Sequence, residues 1–469
     1  MSNHQPDIFA GAIDHLEPEA QAMIIAKYSR SYETVRGWIP KTEEESLSLK
    51  KRMGITYKGY GHKSVGQLGH TTIFFEGVSQ LAAKAIEDDQ LFNGQESSTR
   101  YIDYSTQPMI AIDFHPEYDA LIREYQEKFR ALYVKALPIV RDRLVKEFPY
   151  EVALHDERNK AQVEMRQITE KDLAAFETKW SNTIKARAFD ICRGLLPAGS
   201  VTNVAFSGTF DVINDHFGKM LFHPSAEMRN IAERALESVR SIYGYAINDT
   251  QDLKDRFSFV ADNPRAFFYP RIQDQPNFRT IMDVEAMNSV APPLARSIAE
   301  REKWDILPRD VSENFRFRLG GKMDFGAFRD LHRHRNGIIL MPLLTPELGF
   351  HPWYLKELPA DVATEAAALL SNLEKLIPPI YNMEVQMQYA VPMGARVRVQ
   401  YDCGLNQLAY LLELRSGKTV HQTLRHWTHD VYDEMSNYSR YKGIAAKIYP
   451  DMDKDNFTLK RGTQTFEVK

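Results

Sequence analysis

The chain has 469 residues, of which 43% are hydrophobic and 11% aromatic, and its formal net charge is -4 at pH 7. This length predicts two domains, and the slightly negative charge argues against a protein that grips nucleic acid along its whole surface. Two cysteines without a CxxC spacing exclude a disulfide scaffold, and since no stretch approaches the length of a membrane span, we expect a soluble, cytoplasmic protein without a membrane partner.

The N-terminal part of the chain predicts alternating short elements. Apolar residues at helical spacing favour helices over 18–30 and 41–53. Three glycines within 57–66 indicate a turn with close backbone approach. A strand over 71–75 and a short helix over 78–86 follow.

Three short motifs then follow one another along the chain. They are Gly61-His62-Lys63-Ser64, Gly77-Val78-Ser79 and Ser98-Thr99-Arg100-Tyr101. In this order they resemble the flavin-dependent thymidylate synthases, in which an Arg-His-Arg triplet lies between the second motif and the third. Here the triplet position holds Asp88-Asp89-Gln90.

The acidic triplet is a departure with a physical consequence. At about 4 Å and intermediate dielectric, replacing a guanidinium by a carboxylate turns attraction for an anion into repulsion of several kcal/mol. We therefore expect that this part of the chain does not hold a flavin in the family's manner.

The middle of the chain carries an insert and a second family element. Residues 115–185 predict a pair of amphipathic packing helices. Beyond them, Arg193 lies four residues before Pro197, where the family has an arginine that contacts a nucleotide phosphate. Met220 stands where the family has a further nucleotide-binding arginine. Polar residues over 246–275 favour a domain junction, with the boundary near residue 260.

The most cationic stretch of the chain is 328–335, which contains three arginines and two histidines. Such a cluster persists when it is solvated, paired with acids such as Asp324, Asp330 and Glu313, or facing an anion. Histidine ligation of a metal is a further alternative, but no cysteine or carboxylate lies at a supporting spacing. The cationic stretch lies between two apolar runs, 315–319 and 338–341, and this position favours a place close to a core.

This stretch contains the family's triplet, as Arg333-His334-Arg335, but the serine and arginine that should follow are Leu343 and Thr345. Arg415 lies after Pro392 at the family's spacing for its last nucleotide-binding arginine. Elsewhere in this half, helices are expected over 359–377 and 421–435, the first with Val362, Ala366, Leu369, Leu373 and Leu376 on its apolar face. The aromatic residues of 350–354 are expected in the core more than against a ligand ring.

The resemblance implies an α+β fold made of two tandem copies, 1–259 and 260–469, each a sheet flanked by long helices. It implies methylation of dUMP to dTMP with FAD, methylenetetrahydrofolate and NADPH, in a homodimer that forms a pseudo-tetramer. The residues implied for FAD are Arg333, His334, Arg335 and His62. Those implied for the nucleotide are Arg415, Arg193, Ser98 and Arg100. No metal and no catalytic residue is assigned, and the alternative is a catalytically silent or repurposed nucleotide- or flavin-binding relative.

Overall fold

A computed structural model describes most of the chain, and every structural statement below concerns the residues that it describes. These are residues 10–31, 34–110, 116–161, 168–263, 267, 274–281, 292–309, 312, 315–377 and 381–453. The fold is α+β, as expected, with many helices and small antiparallel sheets.

The helices and strands are numbered here in chain order. The helices are α1 (Pro18–Tyr28), α2 (Val35–Trp38), α3 (Glu43–Gly54), α4 (Lys63–Gly66), α5 (Gln80–Ile86), α6 (Pro116–Glu147), α7 (Tyr150–Ala161), α8 (Glu170–Cys192), α9 (Phe210–Met220), α10 (Ala226–Ile242), α11 (Thr250–Phe257), α12 (Pro292–Ala299), α13 (Phe325–Leu331), α14 (Pro352–Glu357), α15 (Ala360–Leu376), α16 (Tyr381–Met387), α17 (Leu405–Arg415), α18 (Gln422–Asn437) and α19 (Lys442–Ala445). The strands are β1 (His70–Ser79), β2 (Asn93–Glu96), β3 (Val201–Thr209), β4 (Phe278–Thr280), β5 (Arg316–Leu319), β6 (Lys322–Asp324), β7 (Ile338–Leu340), β8 (Arg396–Arg398) and β9 (Gln400–Gly404). Throughout these described ranges, every helix is too short or too polar to cross a membrane.

The chain forms two compact units, neither of which is continuous in sequence. The first comprises Met1–Val78, Ala85–Glu96 and Asn203–Phe267. The second comprises Ser79–Lys84, Ser97–Thr202 and Phe268–Lys469. The predicted boundary near residue 260 separates the two expected copies and stays a prediction. The compact units divide the chain differently and assign 97–202 to the second unit.

The first unit combines a sheet of order β1-β3-β2 with α1 packed on α3 and with α10 and α11 packed on α9. The buried side chain of Asn214 makes several hydrogen bonds inside this unit. Asn214 on α9 donates to the hydroxyl of Tyr57 at 3.1 Å and to the carbonyl of Ala246 at 2.9 Å. These bonds fix α9 against two loops of the same unit.

The second unit contains a four-stranded sheet of order β4-β5-β9-β7 and a two-stranded sheet of β6 and β8. The pairing of β5 with β9 and of β6 with β8 is antiparallel, and the chain bends between the two pairs at Gly321. Gly321 has φ +112°, and a Cβ there would lie 2.5 Å from the Asn277 side-chain oxygen. Only glycine fits this bend without strain.

Two helix lengths recur in the N-terminal and C-terminal halves of the chain. Helices α5 and α13 each have seven residues and directly precede the two triplet positions. Helices α9 and α17 each have eleven residues, and they end at Met220 and Arg415. Two helix lengths thus recur in the same order in the two halves of the chain.

Backbone hydrogen bonds inside the second unit link two corresponding segments, around Pro197 and Pro392. Ala198 donates to the carbonyl of Val391 at 2.8 Å, and Met393 donates to the carbonyl of Leu196 at 2.8 Å. Pro197 and Pro392 form an isolated antiparallel bridge between these residues. The two segments thus contact each other reciprocally, as residues related by a two-fold axis do.

Most predicted helices occur, and three expectations need correction. The insert holds three helices, α6 to α8, instead of a pair. On α15 the buried face passes through Leu370, not Leu369, and Leu376 is exposed. Ile338 is also exposed, because its cross-strand neighbours Asp402 and Arg318 place it on a polar face of the sheet.

Candidate functional site

The cationic triplet follows a fully buried helix of the second unit. Asp324 caps α13, its carboxylate accepting a hydrogen bond from the Ala327 backbone N–H at 2.8 Å. All seven residues of α13 are buried, and the triplet begins two residues after this helix ends at Leu331. The expectation that the cluster lies close to a core is confirmed.

Arg415, at the end of α17, contacts the end of α13 and the triplet together. Its Nε donates to His334 Nε2 at 2.8 Å, and its Nη2 donates to the carbonyl of Asp330 at 2.9 Å. A guanidinium only donates, so His334 Nε2 must be the acceptor, and the neutral imidazole carries its proton on Nδ1. A cation at a helix C-terminus is also favoured by the helix dipole.

The electrostatics of this pair follow from burial. Burial lowers the pKa of His334 to about 3, and the Arg415 and Arg333 charges act in the same direction. Burial also lowers the pKa of Arg415 to about 10, with Arg333 and Arg100 contributing. His334 is therefore neutral at pH 7. Arg415 keeps its charge although both acceptors that it contacts here are neutral.

Arg333 has a different environment from its neighbour. Its guanidinium forms an ion pair with Asp330, and its side chain is 38% exposed. The alternative of a solvated basic residue balanced by a local acid therefore describes Arg333 itself, whereas His332 and His334 are buried. Arg335 is partly buried. His334 uses Nε2 for Arg415, which argues against the metal-ligand alternative.

Arg100 lies in a turn in which Ser98 accepts a hydrogen bond from the Arg100 backbone N–H at 3.2 Å. The Arg100 guanidinium binds both carboxylate oxygens of Asp190, at 2.6 and 2.8 Å. Burial alone would raise the pKa of Asp190, but Arg100 holds it below the ordinary value. Arg100 also donates to the carbonyl of Thr419 at 3.0 Å, which ties this turn to the loop after Arg415.

Arg193 belongs to a second buried cluster, at the other end of α13. Its Nε donates to the hydroxyl of Tyr354 at 3.3 Å, and its Nη2 lies 3.9 Å from a carboxylate oxygen of Asp324. Tyr354 in turn donates to Asp324 at 3.0 Å. His421, whose pKa burial lowers well below the ordinary value, donates from Nε2 to the carbonyl of Asp190 at 3.0 Å.

Seven of the eight predicted site residues thus lie in the second unit: Ser98, Arg100, Arg193, Arg333, His334, Arg335 and Arg415. His62 lies in the first unit and is exposed there. Within the second unit, the charges of Arg333 and Arg100 act on Arg415, and the charges of Arg333 and Arg415 act on His334. Arg193 instead contacts Asp324 and Tyr354.

The acidic triplet position of the first unit is occupied in another manner. An Asp89 carboxylate oxygen accepts from the Leu91 backbone N–H at 2.8 Å, and another lies 3.8 Å from His216 Nδ1. Burial lowers the pKa of His216, although Asp89 and Asp88 oppose this effect. This position therefore holds carboxylates beside a buried imidazole, with no arginine from the end of α9, which is Met220.

The sequence did not single out Asp190 or Tyr354, whereas Asp324 was among the acids expected to balance the cationic stretch. A signal for Asp190 existed, because it interrupts the buried run Ala188 to Cys192, where a lone acid requires a partner. No comparable pattern marked Tyr354, which the aromatic run 350–354 placed in the core. Phe350, Trp353 and Tyr354 are indeed buried.

Comparisons with known proteins found one family model and three curated relatives that match this chain. Residues 12–243 match the family model Thy1, described as thymidylate synthase complementing protein. A UPF0159 protein of Chlamydia pneumoniae is 23% identical over 97% of this chain and 94% of its own length. A UPF0159 protein of Thermoplasma acidophilum is 24% identical over 81% of this chain and 84% of its own length. A UPF0159 protein of Chlamydia muridarum is 23% identical, with 93% and 91% covered.

Proposed function

Since the chain belongs to the Thy1 family of flavin-dependent thymidylate synthases, we propose that it methylates dUMP to dTMP, using FAD, methylenetetrahydrofolate and NADPH. The active site lies around Arg415 and the triplet Arg333-His334-Arg335 of the second unit. The enzyme works in the cytoplasm, without nucleic acid or a membrane as partner.

The observation that carries this proposal is the environment of Arg415. Its guanidinium is partly buried, its hydrogen bonds go to neutral acceptors, and the pKa shift records the cost of that burial. The hydrogen-bond acceptors of Arg415 do not balance its charge, and the charges of Arg333 and Arg100 act on it as well. Such an arginine is suited to a phosphate, which accepts several charge-assisted hydrogen bonds.

FAD fits this donor set because its diphosphate and its reduced ring are anionic. When bound, the flavin supplies the hydride that completes the methyl group. Arg333, His334 and Arg335 hold the flavin, and the implied role of His62, which lies in the first unit, stays a prediction. Arg415 binds the dUMP phosphate, and Ser98, Arg100 and Arg193 support the nucleotide. Arg100 shares the electrostatic environment of Arg415, which supports joint action by residues from both halves of the chain.

We further propose that the chain consists of two tandem copies. The repeated seven- and eleven-residue helices support this, as do the reciprocal bonds around Pro197 and Pro392. The bonds at the start of the short helices support it as well: Leu81 donates to the carbonyl of Ala198 at 3.3 Å, and Gly326 donates to that of Met393 at 3.0 Å. Two such chains form a homodimer that reproduces a pseudo-tetramer.

A second candidate is a silent or repurposed relative that binds a nucleotide or flavin without catalysis. The ion pairs of Arg333 with Asp330 and of Arg100 with Asp190 favour it, because a paired guanidinium has less capacity for a ligand. The acidic residues Asp88 and Asp89 at the first triplet position favour it as well.

Thymidylate formation from dUMP with FAD, NADPH and methylenetetrahydrofolate tests the proposal. Purified protein should show the visible absorption of bound oxidised flavin. Arg335→Ala should abolish flavin retention, and Arg415→Ala should weaken dUMP binding roughly 10- to 100-fold, the effect of losing a charge-assisted contact.

Arg279→Ala, which removes an exposed arginine of β4, is the matched control and should change neither property. A folded protein that takes up flavin and dUMP but forms no thymidylate supports the silent relative. A protein that binds neither flavin nor dUMP refutes both readings.

A further inference from the structure

Trp304 has an unusual backbone conformation. Among the described residues it is the one non-glycine residue with positive φ, at 72°. This region is strained for a bulky side chain, and such strain persists only where surrounding contacts enforce it. The indole is nevertheless 50% exposed, so burial of the ring does not account for the conformation.

A buried ion pair enforces the Trp304 backbone. Glu413 accepts hydrogen bonds from Arg301 at 2.7 and 3.0 Å and from the Trp304 backbone N–H at 2.9 Å. It also accepts from the Tyr449 backbone N–H at 3.1 Å. Glu413 lies on α17, two residues before Arg415. The loop that carries Trp304 is therefore fixed to the same helix that carries the phosphate-binding arginine.

The exposed rings of Trp304 and Tyr410 lie next to the cationic site. The Trp304 ring centroid is 6.2 Å from that of Tyr410, which is 52% exposed. The Tyr410 ring is 5.8 Å from the ring of His334, and His334 accepts from Arg415. Lys303 adds a third cationic side chain to Arg333 and Arg415, with its Nζ 5.2 Å from the Trp304 ring centroid. Two half-exposed aromatic rings thus border a cluster of positive charge.

We propose that Trp304 and Tyr410 form a ring-binding platform for a phosphorylated ligand with a planar heteroaromatic ring. The phosphate faces Arg415, and the ring lies against the exposed parts of Trp304 and Tyr410. This assignment rests on the proposed function, whose ligands FAD and dUMP both combine an anionic phosphate with such a ring. Stacking on an aromatic side chain tolerates either ring, so the experiment must separate the two.

Trp304→Gly separates ring binding from folding. Glycine removes the ring, keeps the backbone N–H that Glu413 binds, and accepts positive φ without strain. The variant should therefore unfold at a temperature equal to or above that of the wild type. Phe259→Ala, which removes a ring that is 68% exposed in the first unit, is the matched control.

The measurement is the dissociation constant of full-length protein for FAD, dUMP and inorganic phosphate. Trp304→Gly and Tyr410→Ala should each weaken FAD or dUMP about 5- to 100-fold, the size of a stacking contact. The affinity for inorganic phosphate should stay within about two-fold of the wild type, and the probe that weakens identifies the ring.

Three other results overturn the platform. If wild type and Trp304→Gly bind both nucleotides equally, the platform is wrong while the proposed function stands. If the wild type binds neither nucleotide, the proposed function fails together with it. If Trp304→Gly only converts a dimer into monomers, the rings are a contact between copies of the chain.

Discussion

His334 makes the stability of the protein depend on pH in a way that His334→Gln should remove. The pKa of His334 is about 3 in the folded protein, against 6.5 ordinarily. Above pH 6.5 the residue is neutral in both the folded and the unfolded chain. Below pH 6.5 the unfolded chain binds a proton that the folded chain excludes, so the free energy of unfolding falls as pH falls toward 3.

The size of this effect follows from the interval of pH. At pH 5, about 1.5 units below the ordinary pKa, a factor of about 1.36 kcal/mol per unit gives a loss of about 2 kcal/mol. In His334→Gln the amide oxygen still accepts from Arg415 but does not titrate. The variant should therefore keep about 2 kcal/mol more of its pH 7.5 stability than the wild type does at pH 5.

Urea unfolding at pH 7.5, 6 and 5, followed by circular dichroism, measures this difference. Comparing two proteins at each pH cancels the contributions of the other histidines whose pKa is lowered by desolvation, His216, His351 and His421. At pH 7.5 the two proteins should agree within about 1 kcal/mol, because the Arg415 contact is retained. Parallel stability curves from pH 7.5 to 5 would show that His334 is not held neutral, and with it the described Arg415 contact would be wrong.

Other substitutions test the supports of the site by the same unfolding measurement. Arg301→Ala leaves Glu413 buried and charged, so we expect a loss of about 3–5 kcal/mol, whereas replacing both by apolar residues should cost far less; equal losses would contradict a buried pair. Gly321→Ala should cost about 1–3 kcal/mol because φ is +112°, and Gly59→Ala, with open space around it, is its neutral control. Burial raises the pKa of the Cys403 thiol, so it should react with a thiol reagent only after unfolding, and rapid labelling of folded protein would refute that burial.

Periodicity predicted the helices well because their apolar faces are buried at helical spacing. In α1 the residues Ala20, Met23, Ile24 and Ala26 are all buried, as their spacing predicts. On α15 the spacing also allowed Leu369, but the helix buries Leu370 instead. The pattern fixes the existence of a face and leaves its centre uncertain by one residue, because neighbouring leucines both satisfy it.

The candidate site was predictable in its cations and only in part in its anions. Motif spacing marked Arg100, Arg333 and Arg415, whereas Asp190 is ninety positions from its partner Arg100. Such a pairing depends on how α8 packs, which no local pattern records. The alternative that local acids balance the basic run was correct for Arg333 and Asp330, which are three positions apart on one helical turn.

The two halves of the chain differ at two positions that contact each other in the second half. Where the second half has an arginine at the end of its eleven-residue helix, the first has Met220, and where the second has a basic triplet, the first has Asp88-Asp89-Gln90. In the second half Arg415 donates to His334 of the triplet, whereas in the first half the arginine and the basic triplet are both absent. Changing both removes the surplus positive charge of the first half altogether. One anion site per chain, in the second unit, is the arrangement that these paired differences favour.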